Sequence, residues 1–413
     1  MDLTREMSDE EIRHIISDET AKEFYGQTFS IRERVTTEKQ IFDSLRKLDV
    51  LQELVDDPDV TEIMVNGPNR IFYEKAGKVY QSDKQFLSED KLIDLLQQIV
   101  AAHNRVVNQA SPIVDTRLAD GSRVHIVLSP IALDGSAMSI RRFPKEPISM
   151  EKLIQLQSIN IEAAELLKAL VKARYNIFIS GGTSSGKTTF LNALSQYIPS
   201  DERVITIEDS AELQIQGVDN LVRLETRNAN MEGVTAISIR DLIRTSLRMR
   251  PDRIIVGECR GAETLDMLQS MNCGHDGSLS TGHANSCRDM LSRLETMTMM
   301  AGMELPLLAI RQQIASGIDL IVYLGRLRDK TRRLLEITEV TGMEGDQVGL
   351  NPLFLFRETG EVSGRICGIQ ERTGEMKHIE KFQRAGMGKM YMEAAAGNID
   401  GDPAGGSTCL AVL

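Results

Sequence analysis

Tryptophan is absent from this chain of 413 residues, and aromatic residues of any kind make up only 4% of it. A chain so poor in rings has no ladder of stacking platforms for single-stranded nucleic acid. Cysteine is scarce as well: Cys259, Cys273, Cys287, Cys367 and Cys409 are odd in number and include no C-x-x-C pair. Such a set argues for reduced thiols, and its spacing with His275 and His283 matches no common zinc pattern. No apolar run approaches the roughly 18 residues that a membrane-spanning helix needs. The acidic N-terminus lacks the basic-then-apolar pattern of a secretory leader, so a cytoplasmic location is the expectation. Positive charge is in deficit. With 48 Lys and Arg against 60 Asp and Glu, the formal charge is −12, which disfavours a broad footprint on a phosphate backbone.

What the chain does have is punctuation that divides a length too great for one ordinary core. Residues 1–40 are highly charged and read as a mobile helical arm. Ser8 followed by Glu11 resembles a capping box, with Ile12, Ile15 and Ile16 on one face. Over residues 41–143, Asp57-Pro58, Asn66-Gly67-Pro68 and Asp120-Gly121 separate short runs such as 61–65 and 123–128. A helix starting at Ser88 carries Leu92, Leu96, Ile99 and Val100 on one side. That is the pattern of a small α+β domain. Pro144 and Pro147, ahead of a capping Ser149, mark a linker at 144–150. From 151 to 340, buried strands at 176–180, 203–207 and 253–257 alternate with helices, as in a mostly parallel sheet covered on both faces. Residues 341–393 read as a C-terminal extension of short strands with turns at 344–346 and 358–364, and 394–413 as a disordered tail.

The chemistry concentrates in the second half. Gly181-Gly182-Thr183-Ser184-Ser185-Gly186-Lys187-Thr188 fits G-x-x-x-x-G-K-[ST] between an expected strand and an expected helix, with Thr189 next. Glycines let the loop turn tightly so that backbone N–H groups converge on phosphate, and the following helix adds its positive end. Lys187 then reaches the β- and γ-phosphates and Thr188 offers a hydroxyl to Mg²⁺. Two strands end in acid. Arg253-Ile254-Ile255-Val256-Gly257-Glu258 has the form of a Walker B element, and Glu208, Asp209 and Glu212 cluster after 203–207. One such carboxylate can orient the attacking water while another, Glu258 or Glu208, serves the metal shell. His283 lies on a polar strand suited to sensing the γ-phosphate; His275 reads equally well as a helix-end residue. Ser238 opens a helix with Ile239, Leu242, Ile243 and Leu247 inward, and Arg240, Arg244 and Arg248 recur every four residues away from that stripe, either as a solvated helix face or surface ion pairs or as a surface for a neighbour.

The set 181–189, 207–213, 256–261 and 274–286 resembles the secretion ATPases of type II and type IV systems. Met64-Val65-Asn66-Gly67-Pro68 and the run from Asp115 to Arg123 are most similar to the CpaF branch, which drives tight-adherence pilus assembly. The resemblance covers about residues 45–340. It implies a RecA-like P-loop ATPase domain behind a smaller α+β domain, with ATP and Mg²⁺ as ligands and a homo-hexameric ring as the working unit. It further implies Glu212 as the water-activating base, Glu258 as the Walker B acid and His283 as the sensor. Arg117, Arg123, Arg141 and Arg142 match the family's phosphate-side arginines, with Arg123 and Arg141 foremost. Inner-membrane platform proteins are the implied partners, with no direct nucleic acid and a place at the inner face of the cytoplasmic membrane. Cys259 stands where an aliphatic residue is commoner, the tetracysteine module of the type II branch is missing, and residues after 340 match poorly. A nucleic-acid-translocating motor is the competing class.

Overall fold

Ser8 and Glu11 cap reciprocally, each side chain accepting the other's backbone N–H, and α1 (Asp9–Glu23) follows. The computed structural model describes residues 7–23, 30–75, 77–103, 105–142, 147–227 and 235–388. The tail expected at 394–413 and the start of the linker, 144–146, lie outside them. A second capping box, Ser30 with Glu33, opens α2 (Ile31–Arg46). Among the described residues the two helices share a small core of Ile12, Ile16 and Phe42, with the Arg13 guanidinium 3.7 Å above the Phe42 ring. This helical pair extends past the boundary expected at residue 40.

After α3 (Gln52–Asp56) come β1 (Val60–Asn66), β2 (Ile71–Lys75), β3 (Lys78–Gln81), α4 (Glu89–Ala101), β4 (Ile113–Arg117), β5 (Arg123–Val127) and β6 (Ala137–Arg141). The strands form one antiparallel sheet in the order β3-β2-β1-β6-β5-β4. Period-two alternation sends Ile63, Val65, Val124, Ile126, Met138 and Ile140 to one face, where they share a core with Leu92, Leu96 and Ile99 of α4. Ser88 caps α4 by accepting the Lys91 N–H. The chain forms two compact units, and these elements belong to the first, which runs through residue 145.

The second unit comprises 146–229 and 235 onward. Its elements are α5 (Met150–Gln155), α6 (Ile161–Lys172), β7 (Ile177–Gly181), α7 (Lys187–Ser195), β8 (Arg203–Glu208), β9 (Asn220–Glu225), α8 (Ile239–Ser246), β10 (Arg253–Val256), α9 (Glu263–Asn272), β11 (Leu279–Gly282), α10 (Cys287–Met299), α11 (Leu307–Gly317), β12 (Leu320–Arg326), β13 (Arg332–Glu344), β14 (Gln347–Val362), β15 (Arg365–Arg372) and α12 (Glu380–Arg384). Nine strands make one sheet, β15-β14-β13-β12-β7-β11-β10-β8-β9. The six from β12 to β9 are parallel. Both faces are covered: Ile177 and Ile179 share a core with Leu167, Leu170 and Leu191, while Phe178, Ile205, Ile254 and Val256 share another with Ile243, Leu268 and Ile314.

Residues after 340 are no separate appendix. β13 crosses position 340, and β13 and β14 span 13 and 16 residues as antiparallel continuations of the sheet. Register shifts at Ile337/Thr338 and Glu358/Gly360 break their alternation, which is why they read as short strands. The chain then returns beneath the sheet. Phe382 packs on Tyr175 with ring centroids 4.9 Å apart, and the buried Glu339 accepts backbone N–H groups of Lys377 and His378. Lys381 bridges Asp276 and Asp319 at 2.7 Å each. Cys259, Cys273 and Cys287 are free thiols.

Candidate nucleotide site

Residues 181–189 leave β7 and enter α7 through a loop that only glycine permits at two points. A Cβ on Gly181 would sit 2.4 Å from Ser185 Oγ and 2.6 Å from the Leu324 carbonyl, and Gly186 adopts φ +95°. Ser184 also takes a left-handed φ of 58°; its carbonyl accepts from Arg332 Nε at 2.9 Å. Because Gly186 occupies the N-cap, no side chain caps α7, and its first turn carries no acid. The leading amides are therefore open to an anion, with the helix's positive end behind them. Thr188 and Thr189 sit half-buried in that turn, and Gly182 and Thr183 line a cleft of 410 Å³ with His283, Asn285, Asp289 and Arg293. Lys187 is 8% exposed. Its ammonium donates to the Gly181 and Gly182 carbonyls at 3.1 Å each and lies 3.3 Å from His283 Nδ1.

Sheet order sets what stands beside that lysine. Along the C-terminal edge, β7 is followed by β11, β10 and β8, so the P-loop, His283, Glu258 and the 208–212 acids succeed one another in space. His283 Nε2 is 2.7 Å from Glu258 Oε1, a close contact without hydrogen-bond alignment that becomes an ion pair only when the ring is protonated. Burial and the neighbouring Lys187 hold the His283 imidazole below its ordinary value, against the opposing pull of Glu258. Glu258 Oε2 accepts from Arg260 Nε at 2.8 Å, and Arg260 Nη1 lies 3.9 Å from Asp209. Glu208 is 3% exposed. Its Oε2 accepts the backbone N–H groups of Glu212 (2.7 Å) and Leu213 (2.8 Å), which fixes the loop that carries Glu212. Burial pushes the Glu208 carboxyl up to about 7 although those two amides oppose it. Glycine at 257 makes room for it, since a Cβ there would meet Glu208 Cγ at 2.9 Å.

Two buried oxygens here, Glu208 Oε1 and Glu258 Oε1, have no hydrogen-bond partner. They suit a hydrated cation. Among the described residues no three His, Cys, Asp or Glu are placed to hold a metal by themselves, so a divalent ion at this edge would draw most ligands from phosphate and water, the habit of Mg²⁺.

Other candidates fall elsewhere. Strand register aligns Arg117, Arg123 and Arg141 across β4, β5 and β6 of the first unit. Like charges directly opposite one another destabilise a sheet, so the row needs a reason; Asp115 relieves it in part, 3.3 Å from Arg123. Arg142 donates to the Asp57 and Val60 carbonyls. The arginines of this helix form ion pairs at its surface, as one reading expected: Arg240 and Arg244 both hold the buried Asp266 of α9, at 2.6 and 2.8 Å, with Arg244 still 58% exposed. His275 hydrogen-bonds the Ser270 carbonyl at the end of α9. Arg332 and Asn192, whose side chain accepts the Gln214 N–H at 3.0 Å, belong to no motif, and no spacing in the sequence marks them; Arg260 falls within the 256–261 run, which gives it no role of its own.

A P-loop ahead of an uncapped helix, on a parallel sheet whose neighbouring strands end in acid and histidine, defines a RecA-like P-loop ATPase. Residues 44–394 match the family model described as type II/IV secretion system protein, and the chain belongs to that family. It is 34% identical over 302 residues to a candidate conjugal transfer protein of Mycobacterium tuberculosis, covering 72% of this chain and 85% of that one. It is 32% identical over 304 residues to the type IV secretion system protein PtlH of Bordetella pertussis, covering 68% and 90%. The X-ray structure of the ATPase DotB of Legionella pneumophila shares the fold, with a TM-score of 0.51 at 22% identity over 70% of this chain and 79% of that one. Among the described residues no helix is long and apolar enough to cross a membrane.

Proposed function

We propose that the chain hydrolyses MgATP to power pilus assembly or protein secretion across a bacterial envelope, as a homo-hexameric ring of the CpaF type. The observation that carries the catalytic part is the line Lys187–His283–Glu258 beside the open amides of α7. Lys187 would hold the β- and γ-phosphates while the loop from 182 to 189 wraps them. Glu212, on the loop that Glu208 anchors, is the proposed base toward the attacking water, and His283 senses the γ-phosphate between Lys187 and Glu258. When bound, Mg²⁺ neutralises charge on the phosphate oxygens; Thr188 and Glu258 Oε1 would hold it or its water, with Glu208 Oε1 further out. The row of Arg117, Arg123 and Arg141 supports a second source of positive charge for the phosphates, Arg123 and Arg141 foremost. The motor would work in the cytoplasm, at the membrane's inner face, against inner-membrane platform proteins.

Nucleotide binding and phosphate release, measured separately, test the reading. Lys187→Ala is expected to lose most binding. Glu212→Gln and Glu258→Gln should keep binding and lose turnover by about 100-fold or more. Parental turnover in both carboxamide variants refutes the assignment of the acids. Membranes containing platform proteins should stimulate hydrolysis and single-stranded DNA should not; the reverse favours a nucleic-acid-translocating motor.

A further inference from the structure

Glu258 and Arg260 lie two residues apart just beyond β10, with their side chains in contact. Cys259 between them points the other way, fully buried, its N–H held by the Thr281 carbonyl. The turn is fastened again at Glu263, whose Oε1 accepts the backbone N–H groups of Arg260 and Gly261 at 2.6 and 2.8 Å. Arg260 therefore reaches Glu258 from a braced position, although its own side chain is 58% exposed.

The guanidinium spends both Nε and Nη2 on one oxygen, Glu258 Oε2. The other oxygen, Oε1, is left against His283, buried and without a hydrogen-bond partner. Toward its far side the same guanidinium lies 3.9 Å from Asp209. Two acids on adjacent strand ends would otherwise repel, and Glu258 has rotamers that swing away from the P-loop. We propose that Arg260 is a positioning residue for the ATPase reaction: it pins one oxygen of Glu258, turns the other toward the P-loop, and screens Glu258 from Asp209. Close contacts then run without a break from Asp209 through Arg260, Glu258 and the His283 ring to Lys187.

An exposed pair of this kind contributes little to global stability, so its removal should be felt in chemistry and not in folding. The assignment rests on the ATP-hydrolysis reading and is tested on the full chain with Arg260→Ala, Arg260→Lys, Glu258→Gln and the double variant Glu258→Gln/Arg260→Ala. Arg260→Ala is expected to lower kcat about tenfold or more, with KM and the Kd for fluorescent ADP in EDTA changed less than about threefold. Lysine should restore part of the rate, as a point charge lacking the fork. In the double variant, loss of the arginine should add nothing to Glu258→Gln, because it acts through that carboxylate. A readout independent of turnover is the gain in ADP affinity on adding Mg²⁺, which should shrink in Arg260→Ala; if the isolated chain turns over too slowly to assay, this comparison decides alone. A kcat within about twofold of parental, multiplicative effects in the double variant, or melting temperature and ADP affinity falling in step with kcat would each overturn the assignment. Retention of nucleotide by Lys187→Ala would instead strike the ATP-site reading itself.

Discussion

At the scale of single residues, Glu208 has a measurable pH signature. Its carboxyl sits at about 7 in the folded chain against an ordinary 4.5, chiefly through burial. The folded state therefore binds this proton more tightly than the unfolded one. Glu208 thus contributes fully to stability below pH 4.5, and that contribution is lost as pH rises to about 7. The shift corresponds to a loss on the order of 3 kcal/mol. Glu208→Gln keeps an acceptor for the Glu212 and Leu213 amides but cannot ionise. It is expected to unfold at higher denaturant than the parent at pH 8 and at about the same concentration near pH 4.5; equal midpoints at both pH values would contradict this. None of it is legible in the sequence, where Glu208 reads as one acid among three. The distinction comes from Gly257, which lets the side chain tuck between neighbouring strands.

At the scale of elements, the local rules carry far. Ser88, Ser149 and Ser238 each cap the helix that the sequence places after them, and the apolar runs at 176–180, 203–207 and 253–257 become the buried strands β7, β8 and β10. The rules fail where partners are distant. α8 has the expected inward stripe of Ile239, Leu242 and Ile243, yet its arginines turn to Asp266, which no helical periodicity could announce. The C-terminal segment fails for the same reason: short and polar, it gains its place from Tyr175, Asp276, Asp319 and Glu339 on strand and loop ends far back in the chain. Asp319, pushed up mainly by burial, depends on Lys381 and the Asn176 N–H to stay charged. Lys381→Met should therefore cost about 1–3 kcal/mol, the penalty of leaving a largely buried carboxylate without its cation. The expected observation is a lower urea midpoint with an unchanged m-value. A midpoint equal to the parent's would mean that this clasp adds nothing.

At the scale of the whole molecule, the proposed ring is tested through the arginine row of the first unit. A lone P-loop leaves the γ-phosphate side open to water, and an arginine supplied to it typically adds about 10³ to 10⁵ in rate. Arg123→Ala and Lys187→Ala proteins should each be inactive. If Arg123 acts across a subunit interface, mixing the two pairs some intact P-loops with intact arginines, and activity should partly return. Light scattering on the parental chain should find a hexamer under assay conditions. A fully active monomer at nanomolar concentration would sink the ring, and mixtures no more active than their components would remove Arg123 from any role in trans.

The sequence by itself determined the form of the loop at 181–189, because that form is local: contiguous residues supply the glycines, the amides and the lysine, and the helix they open follows at once. It likewise determined helix starts and buried strands, which depend on capping side chains and apolar periodicity within a few residues. Only the tertiary structure decided the lateral order β7-β11-β10-β8. That order is set by crossover connections packing helices on both faces of the sheet, and it brings His283 beside a lysine 96 residues away. It also places Arg260 between two strand ends and gives Glu208 to a loop instead of to solvent. Contacts across a sheet edge are fixed by packing between strands remote in the chain, and no pattern within a strand records its neighbour.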